Sequence, residues 1–499
     1  MRGTELRRLT KALSARNATG SWGDLASSVY TGLFGLVLTV SVVWYLASTL
    51  MGDRTTPTPR MQVDASWLTL LAVAWLLAVV FSVVSRVGPV ALSRAQSAWW
   101  LPAPVERRSL FRPALLVWLV AIGLVGAGGG VGMAGALGGS PAAVAGAGVA
   151  GAGAGLACVA LLALTQTTGR RRSQWWADAP VLAVALVALA VVILGLPPLP
   201  APTPVVAWVL AAVLAAAAGA LWWAADRRLE LIHDADLQRL GAAQEHAQGS
   251  VMQLDTRELG RALERPSRRF RRRRSARFRW VAGTTAPFRA IVTADAAHFL
   301  RSPRHLAQVL IGAVIVLLAV AMRDFLAVPV IVALFAGGYV AASATAEGAR
   351  AAQRTPALDQ LLPLSASVTR GARLVVPLAV MTAVGAALGA ALGLRVGDVG
   401  HWVALGAVSG PVWAAAAIRA SYRADPTFSG LLVYTPMGAF PADMGRSIVV
   451  GPDVAILGLI PVWVCVAIGE VLPFLVLVQG LIGLMVFLLA LNVPKRKAP

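Results

Sequence analysis

Little in this chain is equipped for covalent chemistry. A phosphate-cradling loop needs a glycine-rich turn followed by lysine. No GxxxxGK[ST] run is present, and the only lysines are Lys11, Lys495 and Lys497. HExxH, CxxC and GxSxG, the signatures of zinc hydrolysis, dithiol chemistry and a serine nucleophile, are also missing. The five histidines, His233, His246, His298, His305 and His401, are scattered and read as ordinary surface residues. Cys158 and Cys465 each sit inside an apolar run and read as small core residues, not as a disulfide or a metal site. The sequence therefore predicts a chain that is not an enzyme and binds no cofactor or metal of its own.

Charge that could drive ion-coupled transport is equally scarce. An ionisable residue at the centre of a membrane helix costs about 2.5–3.5 kcal/mol, and proton or ion carriers retain such residues along their pathways. Here the apolar runs are nearly free of them. Glu470 is the possible exception, followed by Pro473 and Gln479. Glu470 reads as part of a short external turn; the functional alternative makes Glu470 and Gln479 a polar lining of an exit gate. Asp324 and Asp398 read as outer-loop residues.

The elements that would carry any function are membrane helices. Of 499 residues 58% are hydrophobic and only 13% charged, against about 25% charged in a soluble domain. The apolar runs match the roughly twenty residues needed to cross a bilayer. The predicted fold class is an all-α polytopic membrane protein of about twelve transmembrane helices, arranged as two six-helix repeats. The first six spans are placed at 26–50, 66–86, 113–138, 142–166, 179–197 and 203–225. The second six are placed at 304–322, 325–346, 374–395, 400–420, 452–470 and 472–492. No cleavable signal peptide is evident, and the first span is expected to act as an uncleaved signal-anchor.

Three regions follow: a first half over 1–225 with an amphipathic N-terminal helix, a basic amphipathic cytoplasmic linker over 226–290, in which Leu229, Ile232, Leu240, Leu254, Leu259 and Leu263 suggest one or two amphipathic helices, and a second half over 291–499. The net charge of +21, from 44 Lys and Arg against 23 Asp and Glu, lies in alternate loops. Arg86, Arg94, Arg107, Arg108, Arg112, Arg170–Arg172, Arg350, Arg354, Arg370, Arg373, Arg419, Arg423 and Arg446 fall on one side, with the Lys495–Lys497 tail. The other side carries only Arg54, Arg60, Arg323 and Arg395. The positive-inside rule then puts both termini in the cytoplasm, the chain lying in a plasma membrane. In the linker, Arg271, Arg272, Arg273 and Arg274 lie among Phe270, Phe278 and Trp280. Beside a membrane span this basic-aromatic pattern reads as contact with anionic lipid, not with nucleic acid.

Within the spans, Gly128 and Gly132, and Gly151 and Gly155, recur at four-residue spacing. They are either a close-packing face or weakly apolar filler. The 426–453 loop is punctuated by Pro and Gly and reads as a re-entrant or surface segment.

One stretch occurs twice. Arg94 to Arg112 reads RAQSAWWLPAPVERRSLFR, and Thr355 to Arg373 reads TPALDQLLPLSASVTRGAR. Each joins the second span of its half to the third. Each has a Leu-Pro pair, Leu101-Pro102 or Leu362-Pro363, and an arginine, Arg112 or Arg373, at the same distance beyond it. In the first, Leu92, Ala95 and Trp99 are expected to share one helical face; in the second, Glu347, Arg350 and Arg354 lie at helical spacing before Pro356. Such elbows could be handles for a partner that supplies energy, or interfacial helices lying on lipid. The handle residues would be Arg94, Trp99, Trp100 and Pro102, and Arg350, Arg354, Leu362 and Pro363.

The run LLPLS at Leu361 to Ser365, with Arg370 and Arg373 behind it, resembles the segment after the coupling region of ABC-2-type exporter permeases. WLPAP at Trp100 to Pro104 is its first-half counterpart, and FLRSPR at Phe299 to Arg304 resembles the same family's N-terminal elbow. The order of elements in each half is similar too: elbow helix, two spans, coupling segment, four spans. The resemblance implies a fused, duplicated permease of the kind found in high-GC bacteria. It implies two ATP-binding-cassette ATPase subunits as partners, with ATP and Mg bound on those subunits, and export of an unidentified substrate. Trp99-Trp100 stands where the second elbow has Gln360-Leu361, so the two docking sites are expected to be unequal. A secondary carrier of the major facilitator type and a non-transporting assembly subunit are the alternatives.

Overall fold

The computed structural model describes residues 3–17, 63–168, 175–252, 286–322, 327–355, 361–423, 432–435, 438–441 and 450–492. The first span expected at 26–50, the arginine run Arg271–Arg274, most of the 426–453 loop and the Lys495–Lys497 tail lie outside these residues.

The first half contains α1 (Gly3–Asn17), α2 (Ala65–Val87), α3 (Arg94–Trp100), α4 (Arg107–Ala136), α5 (Pro141–Thr167), α6 (Trp175–Leu194) and α7 (Pro204–Arg228). A short 3-10 turn, Leu229–Leu231, leads to α8 (Asp234–Met252). Then come α9 (Ala286–Arg301), α10 (Pro303–Val320), α11 (Ala327–Thr345), α12 (Glu347–Arg354), α13 (Ala366–Val396) and α14 (Val399–Ser421). A hairpin of β1 (Leu432–Thr435) and β2 (Gly438–Pro441) precedes α15 (Pro452–Gly458), α16 (Ile460–Ile468) and α17 (Pro473–Leu491).

Among the described residues ten helices are long and apolar enough to cross a membrane: α2, α4–α7, α10, α11, α13, α14 and α17. The protein is a multi-pass α-helical membrane protein. Short polar caps set the helix ends. Asp64 accepts from the Ser66 N–H at 2.8 Å to start α2; Ser140 followed by Pro141 starts α5, and Thr203 followed by Pro204 starts α7. The outer helices α7 and α17 leave rows of large apolar side chains exposed, among them Val205, Val209 and Val213, and Leu477, Leu481, Leu484 and Leu488. Exposed rows of this length are the faces that hydrocarbon covers.

Packing runs in parallel in the two halves. α4 packs on α5 as α13 packs on α14, and α5 packs on α7 as α14 packs on α17. α2 meets α6 as α11 meets α16, and the amphipathic helices α1 and α9 lie on α4 and α13 respectively. The paired helices approach closely at glycine. A Cβ on Gly126 or Gly151 would overlap the other's backbone across α4–α5, and the same holds for Gly385 and Gly406 across α13–α14. The halves meet where Leu71, Ala185 and Ala188 pack on Val314.

Several expectations are corrected here. Gly151 and Gly155 are a close-packing face, but Gly128 and Gly132 face open space and the close-packing glycines of the third span are Gly126 and Gly130. Spacing alone does not say which helical face meets a neighbour. The third and ninth spans begin early, at Arg107 and Ala366, with Pro113 and Pro377 inside the helices. The elbow arginines Arg108, Arg112, Arg370 and Arg373 are therefore helical. The 452–470 span is two short helices, α15 and α16, broken at Leu459 ahead of Pro461, which has no N–H to continue the ladder. Part of the 426–453 loop is an antiparallel hairpin with Val433 opposite Phe440, so the described chain is not wholly helical.

Candidate functional site

The first elbow is built from helix-ending and helix-starting residues. α2 stops at Gly88, whose φ of 81° suits glycine and whose N–H returns to the Val84 carbonyl. Pro89 follows. Gln166 from α5 then holds the strand-like link, accepting the Val90 N–H at 3.2 Å and donating to the Val90 carbonyl at 3.1 Å. Ser93 and Gln96 cap α3 reciprocally, at 3.1 and 3.2 Å. Ser97 and Trp100 form the buried face of α3, and the Arg7 guanidinium of α1 lies 5.2 Å from the Trp100 ring. Burial lowers the Arg7 pKa from its ordinary value.

The expected face of Leu92, Ala95 and Trp99 is corrected: Leu92 is buried, while Ala95 and Trp99 point away from the protein. Trp99 is 77% exposed. Arg94 is exposed and Pro102 lies exposed in the following bend.

An amphipathic helix legible in the sequence clamps this elbow from behind, a contact that no spacing marks. α8, the start of the central linker, packs on α3. Glu245 accepts the Arg94 N–H at 3.0 Å, and the Leu92 N–H reaches the Leu237 carbonyl at 3.4 Å. Gly241 lies so close that a Cβ there would overlap the Leu92 carbonyl. Asp234 pairs with Arg107 at 2.8 Å.

The second elbow is held by other means. In α12, Arg350 pairs with Glu347 at 3.2 Å and donates to the Ser343 carbonyl, so its charge is committed within its own half. Ala349 and Ala352 are buried, and Gly348 abuts the Asp295 carboxylate of α9. Arg373 closes the knot, reaching Asp295 at 3.5 Å and the Gly348 carbonyl at 3.0 Å. Arg354 is the last residue of α12. The Leu361–Leu364 turn then leads to Ser365, which caps α13. Leu361 is 80% exposed, Pro363 is exposed and Leu362 is half-buried.

The two elbows lie at one end of the bundle: the Val63 N–H just before α2 reaches the Ala321 carbonyl just after α10, so the far ends of α2 and α11, where the elbows begin, lie together at the other end. Most described arginines share that end. Arg86, buried in the last turn of α2, pairs with Asp178 at the start of α6. Arg108 and Arg112 both bind Asp226 near the end of α7. The opposite end carries Asp64, Arg395, Asp398 and Glu470.

Glu470 lies exposed in the turn before α17, while Gln479 is fully buried inside that helix. The Gln479 Nε2 donates to the Gly458 carbonyl at 2.9 Å, at the α15–α16 break. Trp463 Nε1 donates to the Ile456 carbonyl at 3.0 Å on the same break. The two residues proposed for one gate are thus differently placed, one solvent-facing and one structural. Beside the break is an apolar cavity of about 40 Å³ lined in part by Trp402, Trp413, Leu459 and Trp463. Among the described residues no group of three His, Cys, Asp or Glu side chains forms a metal-ligand set. Arg271–Arg274 lie outside the described residues.

A family model described as "Family of unknown function (DUF6297)" matches residues 61–430. That range includes both elbows and stops before α15. No curated protein and no solved structure matches the chain.

Proposed function

We propose that this chain, which belongs to the DUF6297 family, is the transmembrane permease of an ATP-binding-cassette exporter of the ABC-2 type, with both permease halves fused. Its ATP would be bound and hydrolysed, with Mg, on two separate ATPase subunits docked beneath the elbows. Both termini would then be cytoplasmic, in a bacterial plasma membrane.

The observation that carries this reading is the pair of exposed apolar tips. Trp99 and Leu361 each stand on the elbow between a half's second and third spans, three and two residues before an exposed proline, and each is more than three-quarters exposed. Burying a large apolar side chain in a partner's groove contributes about 1.5–3 kcal/mol, and aromatic anchors dominate protein interfaces. The parallel packing of the halves supports the same reading, because two levers in matching frameworks suit a symmetric pair of motors. The unequal backing, α8 behind the first elbow and the Asp295–Arg373 knot behind the second, supports unequal docking sites.

The test is affinity capture of the full chain after mild solubilisation. An ATP-binding-cassette ATPase should co-purify, and Trp99→Glu with Leu361→Glu should reduce its recovery at least tenfold while leaving the chain folded. Capture without such an ATPase favours an assembly subunit. Vesicle transport that collapses with a protonophore but not with vanadate favours a major-facilitator-type carrier.

A further inference from the structure

We propose that Arg108 and Arg112 form a binding site for the phosphate of an anionic phospholipid headgroup, present in the first half and closed off in the second.

Asp226 is buried near the end of α7 and accepts from two guanidinium groups at once. Arg112 donates through Nε to Oδ1 and through Nη2 to Oδ2, both at 2.8 Å. Arg108 donates through Nε to Oδ2 at 3.1 Å and again through Nη2. One carboxylate thus fixes two cations. Neither Arg108 nor Arg112 uses its Nη1 within the described residues. The side chains are 38% and 48% exposed, whereas the Asp226 side chain between them is 5% exposed. Two guanidiniums held side by side, with spare N–H groups and one unneutralised charge, fit a tetrahedral oxyanion.

The position selects the source of that oxyanion. The site lies where α4 starts and α7 ends, at the boundary of two membrane spans. Within a turn of Asp226, Trp223 is exposed and the Arg227 guanidinium lies 3.9 Å from its ring centroid. An outward tryptophan with a basic residue on it is the chemistry of the lipid–water interface. Arg227 and Arg228 are exposed at the same helix end. The acids nearby are Glu106 and Glu230, both exposed, and Asp234, which is paired with Arg107.

The second half supplies the contrast. Arg373 occupies the place of Arg112, but its side chain is only 11% exposed and faces a single, equally enclosed Asp295. Thr369, buried, stands at the offset of Arg108. Among the described residues the last span ends at Leu491 and Asn492 with no basic pair within the helix like Arg227 and Arg228.

The test uses the full chain in detergent, titrated with phosphatidylglycerol, phosphatidylcholine or inorganic phosphate, with retained lipid counted by native mass spectrometry. Phosphatidylglycerol should be retained in preference to phosphatidylcholine. Removing each arginine should weaken that retention about fivefold, from roughly 1 kcal/mol per basic residue. Arg108→Gln with Arg112→Gln should abolish the preference, and Arg373→Gln should not. Should the double variant not fold, Arg112→Lys keeps the charge beside Asp226 but loses the planar fork that can hold Asp226 and an oxyanion at once, and is expected to show the same direction of change. Unchanged preference in folded Arg112→Lys and the double variant overturns the proposal. So does displacement of the lipid by millimolar inorganic phosphate, which would assign the site to a free anion.

Discussion

Gln479 of the last helix donates to the carbonyl of Gly458, 2.9 Å away across the helix pair, at the point where the preceding span breaks. α15 ends at Gly458, so its last carbonyls have no intrahelical partners, and a carbonyl inside an apolar bundle needs a donor. The buried amide supplies it, so the break is a maintained feature of the fold.

Gln479→Leu should remove that donor while keeping the volume. The expected loss is about 1–3 kcal/mol, the cost of leaving a buried polar group unpaired. Thermal unfolding of the solubilised protein should show a lower midpoint. An unaltered midpoint would mean that the Gly458 carbonyl finds another partner.

The glycine contacts make a second prediction. Gly151→Leu and Gly406→Leu should each push apart a helix pair, since a side chain at either site collides with backbone. Overpacking costs about 1–3 kcal/mol or more, and backbone is the least yielding neighbour. Gly128→Leu, facing open space, should be tolerated. Monodispersity and thermal midpoint in detergent would rank the three. Equal behaviour of Gly128→Leu and Gly151→Leu would contradict the observed helix faces.

Asp295→Asn should loosen the second elbow alone. The carboxylate receives Arg373 and abuts Gly348, so it ties α9, α12 and α13 together. Weakening it should cost about 1–3 kcal/mol of local stability. Hydrogen exchange should rise in residues 347–355 and stay constant in 93–104. A rise in both segments would show that the elbows are not held independently.

Gly241→Leu is the complementary change. The added side chain would strike the Leu92 carbonyl and lift α8 from the first elbow. Exchange should then increase at least severalfold in residues 89–100, with the second elbow unchanged. Protection that persists in 89–100 would assign the order of this elbow to Gln166 and the Ser93 cap.

The chain by itself determined the class, most span positions and the place of both elbows. Those features depend on local quantities: the length of an apolar run, a Leu-Pro break, a Ser or Thr before a helix, the side of the alternation on which arginine falls. Arg112 and Arg373 were legible as counterparts because they sit at one offset from Pro102 and Pro363. Their carboxylates, Asp226 and Asp295, were not, because each comes from a distant segment.

Only the tertiary structure decided which glycines face a neighbour, which face of α3 points outward, that α8 backs the first elbow, and that Gln479 serves a broken helix. The physical reason is the medium. In water, polarity marks the outward face of a helix, whereas in a bilayer lipid and protein interior are equally apolar. The sequence then carries little sign of which side of Gly126 or Gly128 meets protein, and the choice is made by close packing between segments far apart in the chain.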